Sequence, residues 1–235
     1  MKLACCSSAF GSALETGDIS QLEFLDAAAR LLWCDGVVLD VRQFPRTDGD
    51  YLAQVKKMAA DLGLCIAALR AGDFFLSDEL AMRAVLDVAR ALGAPLVSAA
   101  LASETAMSWS EQVARIGIAT GLAKSANVTL ALRNAPGTYA ATAYDCKRIT
   151  KEADSAWLRY GLDPAVFDAA GNWEPLAEKN VLLWCDALAQ PSFRWEAFNG
   201  FIALDRADGA MTMPEMNDAM RRWRIARANF ELNRR

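Results

Sequence analysis

Between residues 35 and 100 the chain repeats one short pattern three times: Asp35-Gly36-Val37-Val38-Leu39-Asp40, Gly63-Leu64-Cys65-Ile66-Ala67-Ala68-Leu69-Arg70 and Gly93-Ala94-Pro95-Leu96-Val97-Ser98-Ala99-Ala100. Each is a glycine followed by an apolar run of strand length. The glycines lie 27 and 30 residues apart, about the length of one strand–helix unit. A glycine at each helix-to-strand joint is the chemistry of a helix C-cap. The segments between the runs carry apolar residues at helical spacing: Leu22, Leu25, Ala29 and Leu32, then Leu52, Val55, Ala59 and Leu62, then Leu80, Val85, Val88, Ala89 and Leu92. Asp18 or Ser20 caps the first of these helices.

The alternation continues outward in both directions. Leu3 to Ser7 reads as a first strand. Downstream, Glu111–Ala126 and Thr142–Ala153 read as helices, with a short helix near Trp173–Glu178. Val128–Arg133, Leu158–Asp163, Val181–Asp186 and Phe201–Asp205 read as strands, and a terminal helix from Pro214 turns Met216, Met220, Trp223 and Phe230 inward. Eight strands alternating with helices imply parallel pairing and right-handed crossovers. An open nucleotide-binding sheet would show a glycine-rich turn after the first strand. Ser7-Ser8-Ala9-Phe10-Gly11-Ser12 has no GxGxxG and there is no P-loop. The fold class expected is therefore an α/β (β/α)8 TIM barrel, one domain over residues 1–235, with its ligand site at the C-terminal ends of the strands.

Composition narrows the function. Of 235 residues 54 % are apolar, enough for a large core, and the net charge is −4, which argues against a nucleic-acid partner. There is no apolar run long enough for a membrane span or a signal peptide, so a cytoplasmic location is expected. The six cysteines form no CxxC pair and read as reduced and buried, without a structural zinc site. Histidine is absent. Ser–His and Cys–His pairs, a histidine base and histidine metal ligands are thereby excluded, and acid–base work falls to Asp, Glu, Lys, Tyr or Cys.

Four segments resemble the xylose-isomerase-like sugar-phosphate isomerase/epimerase family, which also contains endonuclease IV. Leu22–Leu39, closing through Cys34-Asp35-Gly36-Val37, is similar to the family's "aa-lGxdGvEl". Leu92-Gly93-Ala94-Pro95 resembles "LGAp", Leu130-Ala131-Leu132-Arg133-Asn134 resembles "laLEN" on strand five, and Gly161-Leu162-Asp163-Pro164 resembles "glDp" on strand six. The resemblance implies a divalent metal held by Glu on strand five, Asp or His on strand six, His on strand seven and Glu on strand eight. Here the strand-five position is Arg133, strand six keeps Asp163, strand seven offers no histidine near Leu183–Cys185, and strand eight offers Asp205. A guanidinium beside a divalent cation costs on the order of several kcal/mol in a poorly solvated pocket. The expectation is no metal and no cofactor.

The strand ends supply Asp40 and Arg42, Arg70, Arg133 and Asn134, Asp163, Asp186, and Asp205 with Arg206. Arginines converging there suit a carboxylate or phosphate. Equally, they neutralise the aspartates, with Arg133 paired to Asp163. The aromatic residues Phe10, Phe44, Phe74, Trp109, Tyr139, Trp173 and Trp195 follow strand ends, where they stack on a sugar-like ring or pack loops; Phe10 and Trp109 are taken as ligand contacts. Arg221, Arg222, Arg224 and Arg227 on the last helix read as a solvated face. Two functions follow. One is an isomerase or epimerase-like barrel for a small carbohydrate-like or anionic ligand, with Asp163 and Asp205 as proton-handling groups and Arg133 steadying an enolate oxygen. The other is an inactive barrel that binds a ligand or partner. Self-association is left open.

Overall fold

The computed structural model describes residues 1–167, 174–190 and 198–233. The apolar runs become eight strands: β1 (Lys2–Cys6), β2 (Gly36–Asp40), β3 (Cys65–Arg70), β4 (Leu96–Ala100), β5 (Thr129–Arg133), β6 (Leu158–Leu162), β7 (Asn180–Asp186) and β8 (Phe201–Asp205). They pair in sequence order and β1 pairs with β8, closing a barrel in which every pairing is parallel. The helices are α1 (Gly11–Thr16), α2 (Gln21–Arg30), α3 (Gly49–Asp61), α4 (Glu79–Leu92), α5 (Trp109–Ala126), α6 (Ala143–Ala153) and α7 (Met213–Asn233). The chain is thus a (β/α)8 TIM barrel, as its alternation predicts.

Short polar residues start the helices. Ser20 and Ser108 form capping boxes with Glu23 and Glu111, and Asp48, Asp78 and Thr142 each accept a backbone N–H of the first turn. Gly63 and Gly93 follow α3 and α4 with φ of 71° and 74°, as the joint reading requires. Gly36 departs from it. It lies within β2, and the left-handed residue after α2 is Trp33 at φ 53°. A β-carbon at Gly36 would stand 2.6 Å from the Cys65 carbonyl oxygen, so close backbone approach, not helix capping, requires this glycine. The expected helix near Trp173–Glu178 is a 3-10 turn at Glu174–Lys179; Trp173 itself lies outside the described residues.

Alternation along the strands makes two cores. Leu3, Cys5, Val37, Leu39, Leu183, Ile202 and Leu204 face the helices. Ala4, Cys6, Val38, Ala67, Ala68, Leu182, Trp184 and Ala203 fill the lumen. Most lumen side chains are small, so one indole occupies much of the space. Gly161 makes room for it: a β-carbon there would lie 3.3 Å from Trp184 Nε1 and 3.2 Å from Ser98 Oγ.

Three expectations about individual residues fail. Leu80, read as part of the inward face of α4, is 77 % exposed. Two cysteines are not buried: Cys65 is exposed and Cys34 half-buried. The arginines of α7 are not simply a solvated face. Arg222, Arg224 and Arg227 donate to the carbonyl oxygens of Ala187, Leu32 and Met1, and Arg227 also pairs with Asp35 at 2.8 Å. They fasten the last helix to the barrel wall because unpaired carbonyls at strand and helix ends need donors. Among the described residues no helix is long and apolar enough to cross a membrane.

Candidate functional site

The lumen-facing residue at the end of each strand is set by the same alternation. In order from β1 these are Cys6, Asp40, Arg70, Ala100, Arg133, then Asp163 just past β6, Asp186 and Asp205. A bulge sets one of them. The β2–β3 register slips at Val37/Val38, so Ala67 is extra, and Arg70 then falls opposite Asp40.

Charged side chains alternate in sign across the mouth. Arg42 grips Asp40 through Nε and Nη2 at 3.2 and 3.0 Å. Arg70 Nη1 lies 3.5 Å from the same Asp40 Oδ2 and 3.7 Å from Asp205 Oδ2. Arg133 Nη1 lies 3.5 Å from that Asp205 oxygen, and its Nη2 lies 3.7 Å from Asp163 Oδ2. The sequence-derived Arg133–Asp163 pair is therefore present, within a longer chain that crosses the barrel from β2 to β6. The Arg133 guanidinium also sits 4.3 Å above the Trp184 ring, whose Nε1 donates to Ser98 Oγ at 3.2 Å.

The chain has a tight end and a loose centre. Asp40 is fully buried and also caps the Arg42 N–H. Ser7 Oγ accepts the Asp40 N–H and donates to Gln43 Oε1. The Arg42–Asp40 pair is two-pronged, whereas Arg133 and Arg70 are held by longer single contacts, and their side chains are each 23 % exposed. Ser8 Oγ donates to Asp205 Oδ1 at 2.7 Å and lies 2.8 Å from Cys6 Sγ. Both Asp205 oxygens are thereby engaged. Burial pushes the Asp163 carboxyl above the usual aspartate range, although Arg133 pulls the other way. Burial likewise raises the Cys6 thiol far above its ordinary range, so it carries no thiolate at neutral pH.

Several residues expected to touch a ligand are placed otherwise. Asn134 is buried and spends both amide atoms on Asp163: Nδ2 donates to its carbonyl at 3.0 Å, and Oδ1 accepts its N–H at 2.6 Å. It extends the β5–β6 pairing and so positions Asp163. Phe10 is fully buried against Phe24, because its 3-10 turn directs it into the helix-facing core. Trp109 turns to α6, where Nε1 donates to Glu152, Arg148 covers its ring at 3.8 Å and Tyr139 packs edge-on. Phe44 and Phe74 are core residues, and Trp195 lies outside the described residues. Asp186 and Arg206 pair at 3.2 Å on the rim, where Asp186 also caps Leu188 and Arg206 binds Asp208.

Trp184, Ser8, Ser7, Gln43 and Ser98 belong to the site and were not singled out from the sequence. Trp184 could have been: it stands two residues before Asp186, in lumen phase. Ser98 could have been too, since it lies in lumen phase on β4; Ser7, Ser8 and Gln43 lie in 3-10 turns, which no strand periodicity reads.

The divalent metal implied by the family resemblance does not fit these residues. The strand-five position is a cation. The retained Asp163 and the strand-eight Asp205 lie 3.7 and 3.5 Å from it. Among the described residues no group of three or more His, Cys, Asp or Glu side chains could hold a metal ion.

No family model matches the chain, and no curated protein matches it. Solved structures do. A D-psicose 3-epimerase from Clostridium cellulolyticum H10, solved with D-tagatose, superposes with a TM-score of 0.79 at 14 % identity, covering 97 % of this chain and 99 % of the other. The probable 3-DHS dehydratase AsbF of Bacillus anthracis gives 0.75 at 15 % identity, covering 94 % and 98 %. A xylose isomerase-like TIM barrel/4-hydroxyphenylpyruvate dioxygenase fusion protein gives 0.66 at 17 % identity over 94 % of this chain and 42 % of that one. The chain has the fold of the xylose isomerase-like TIM barrels.

Proposed function

We propose that this barrel is isomerase- or epimerase-like: it binds a small, uncharged, carbohydrate-like carbonyl compound at its mouth and moves a proton beside the carbonyl without a metal. The observation that supports this most is Arg133. Its guanidinium takes the place of a metal ion between Asp163 and Asp205, yet it is held by long, one-pronged contacts and is partly open to solvent. A cation so placed has N–H donors to offer an oxygen that gains negative charge.

The charge balance favours a neutral ligand. Arg42, Arg70 and Arg133 face Asp40, Asp163 and Asp205 in one connected network, so the centre of the mouth carries no net charge. An anionic ligand gains little there, whereas hydroxyl groups find donors and acceptors alternating. Within this reading Asp163 accepts the proton, since burial has already raised its carboxyl and so its basicity. Arg133 holds the enolate oxygen. Asp205, with both oxygens engaged, positions Arg70 and Arg133.

A second reading, a barrel that binds but does not turn over, is favoured by the same pairing, because Asp163 already has a cation beside it. Incubation with ketoses in D2O, followed by proton NMR, separates the two. Exchange at the carbon beside the carbonyl, lost in Asp163→Asn, supports catalysis. Binding without exchange identifies a binding protein, and neither binding nor exchange refutes both.

A further inference from the structure

On the outer wall of the barrel, away from the mouth, a groove of about 430 Å³ opens between α6 and the Glu174–Lys179 turn. Its position has a structural cause. Helices α3 to α6 cover the outer faces of neighbouring strands, but among the described residues no α-helix lies between β6 and β7. The groove runs between the Glu174–Lys179 turn and α6. Tyr160, pointing outward from β6, lies buried beneath the groove with Leu176, and its hydroxyl lies 2.7 Å from Thr150 Oγ and donates to the Cys146 carbonyl.

Three lysines stand around the groove: Lys147 and Lys151 from α6, and Lys179 from the turn. Elsewhere in the protein, four charged pairs at this same i,i+4 spacing are complementary: Asp26–Arg30, Lys57–Asp61, Glu79–Arg83 and Glu152–Arg148. Lys147 and Lys151 break the pattern with like charges four residues apart, an arrangement that weakens a helix. Among the described residues none of the three lysines makes an ion pair, and Asp154 and Glu178 on the rim leave a net charge of +1 in the lining. Three ammonium groups without an ion pair among the described residues, around a groove whose volume is in the range of small-molecule sites, point to a small organic anion.

We propose that this groove binds a phosphate-bearing small molecule, its phosphate between Lys147, Lys151 and Lys179 and its body in the groove between α6 and the Glu174–Lys179 turn. The site is separate from the mouth and does not depend on the function proposed for it. A ligand-occupied groove would tie α6 to the Glu174–Lys179 segment.

Calorimetric titration of the full chain with glucose 6-phosphate and, separately, inorganic phosphate tests this. The ester binds more tightly than inorganic phosphate. The double variant Lys147→Ala/Lys151→Ala and the single variant Lys179→Ala each weaken the ester by about tenfold or more, Arg133→Ala leaves it unchanged, and raising the salt concentration weakens it. Equal affinity for ester and free phosphate removes the organic part of the proposal. No binding of either, or binding that Arg133→Ala abolishes and the lysine variants keep, overturns it.

Discussion

The guanidinium of Arg133 sits over the indole of Trp184, 4.3 Å from guanidinium carbon to ring centre, and this contact joins the packed lumen to the charged mouth. Below the indole the lumen is lined mostly by alanine-sized side chains; above it the Arg/Asp network begins. Trp184 is thus both the main filler of the barrel and the platform that fixes the height of the central cation.

Trp184→Ala should therefore cost about 3–5 kcal/mol of stability, the usual range for emptying a large aromatic site. It also strips Ser98 Oγ of its indole donor. Trp184→Phe should cost much less while still disturbing Arg133. Urea denaturation of the two variants measures this. A loss under 1 kcal/mol for the alanine variant would mean that the indole does not fill the lumen.

Gly36→Ala should be among the most damaging single-methyl changes in the chain. The new β-carbon would meet the Cys65 carbonyl at 2.6 Å and the Phe201 ring at 2.8 Å, and overpacking of this kind costs roughly 1–3 kcal/mol or more. Gly49→Ala, where nothing lies within 4 Å of the added carbon, serves as the comparison. Equal thermal midpoints for the two variants would contradict the assignment of Gly36 to a strand–strand contact.

Asp163 gives a pH prediction of definite sign. Its carboxyl is raised in the folded protein above the ordinary value of 3.8. Over the interval from 3.8 up to its raised value, the folded state holds the proton that the unfolded state has lost. This stabilising contribution is full below 3.8 and falls away as pH rises through the folded value. Asp163→Asn abolishes that dependence, so the variant gains stability relative to wild type between pH 3.5 and pH 7. Chemical denaturation at the two pH values checks it, and a relative gain toward acid would reverse the sign.

Thiol labelling of the native protein should be fast at Cys65 and slower at Cys34. Cys5, Cys6, Cys146 and Cys185 are buried, and burial raises each of these thiols, with Cys146 pushed up to about 12. Mass spectrometry after brief exposure to an alkylating reagent distinguishes the sites. Early labelling at Cys6 would show that solvent reaches the base of the mouth.

Much of the fold was legible because it rests on periodicity. The strand runs and the helical faces between them survive translation into structure, and Gly63 and Gly93 sit in the left-handed caps that their positions imply. Gly36 misled because a glycine after a helix and a glycine inside a crowded strand look alike in sequence; only the distance to Cys65 separates them. At the mouth, strand phase named Asp40, Arg70, Arg133, Asp163 and Asp205. It failed for residues beyond the strand ends, where turn geometry decides direction. Phe10 turns into the core, Trp109 onto α6, and Ser8 toward Asp205. Asn134 read as a ligand contact because its backbone role, pairing both ways with Asp163, depends on a partner 29 residues away.

On the function proposed above, Arg133 stands in the place of a metal and gives the mouth the donors that bind an uncharged carbohydrate-like molecule. The decisive measurement is calorimetric titration of the chelator-treated full chain with a panel of ketohexoses. Binding should be unchanged by added manganese or magnesium and weakened at least tenfold in Arg133→Ala. Binding that appears only when a divalent metal is supplied, or that survives unchanged in Arg133→Ala, would contradict that role.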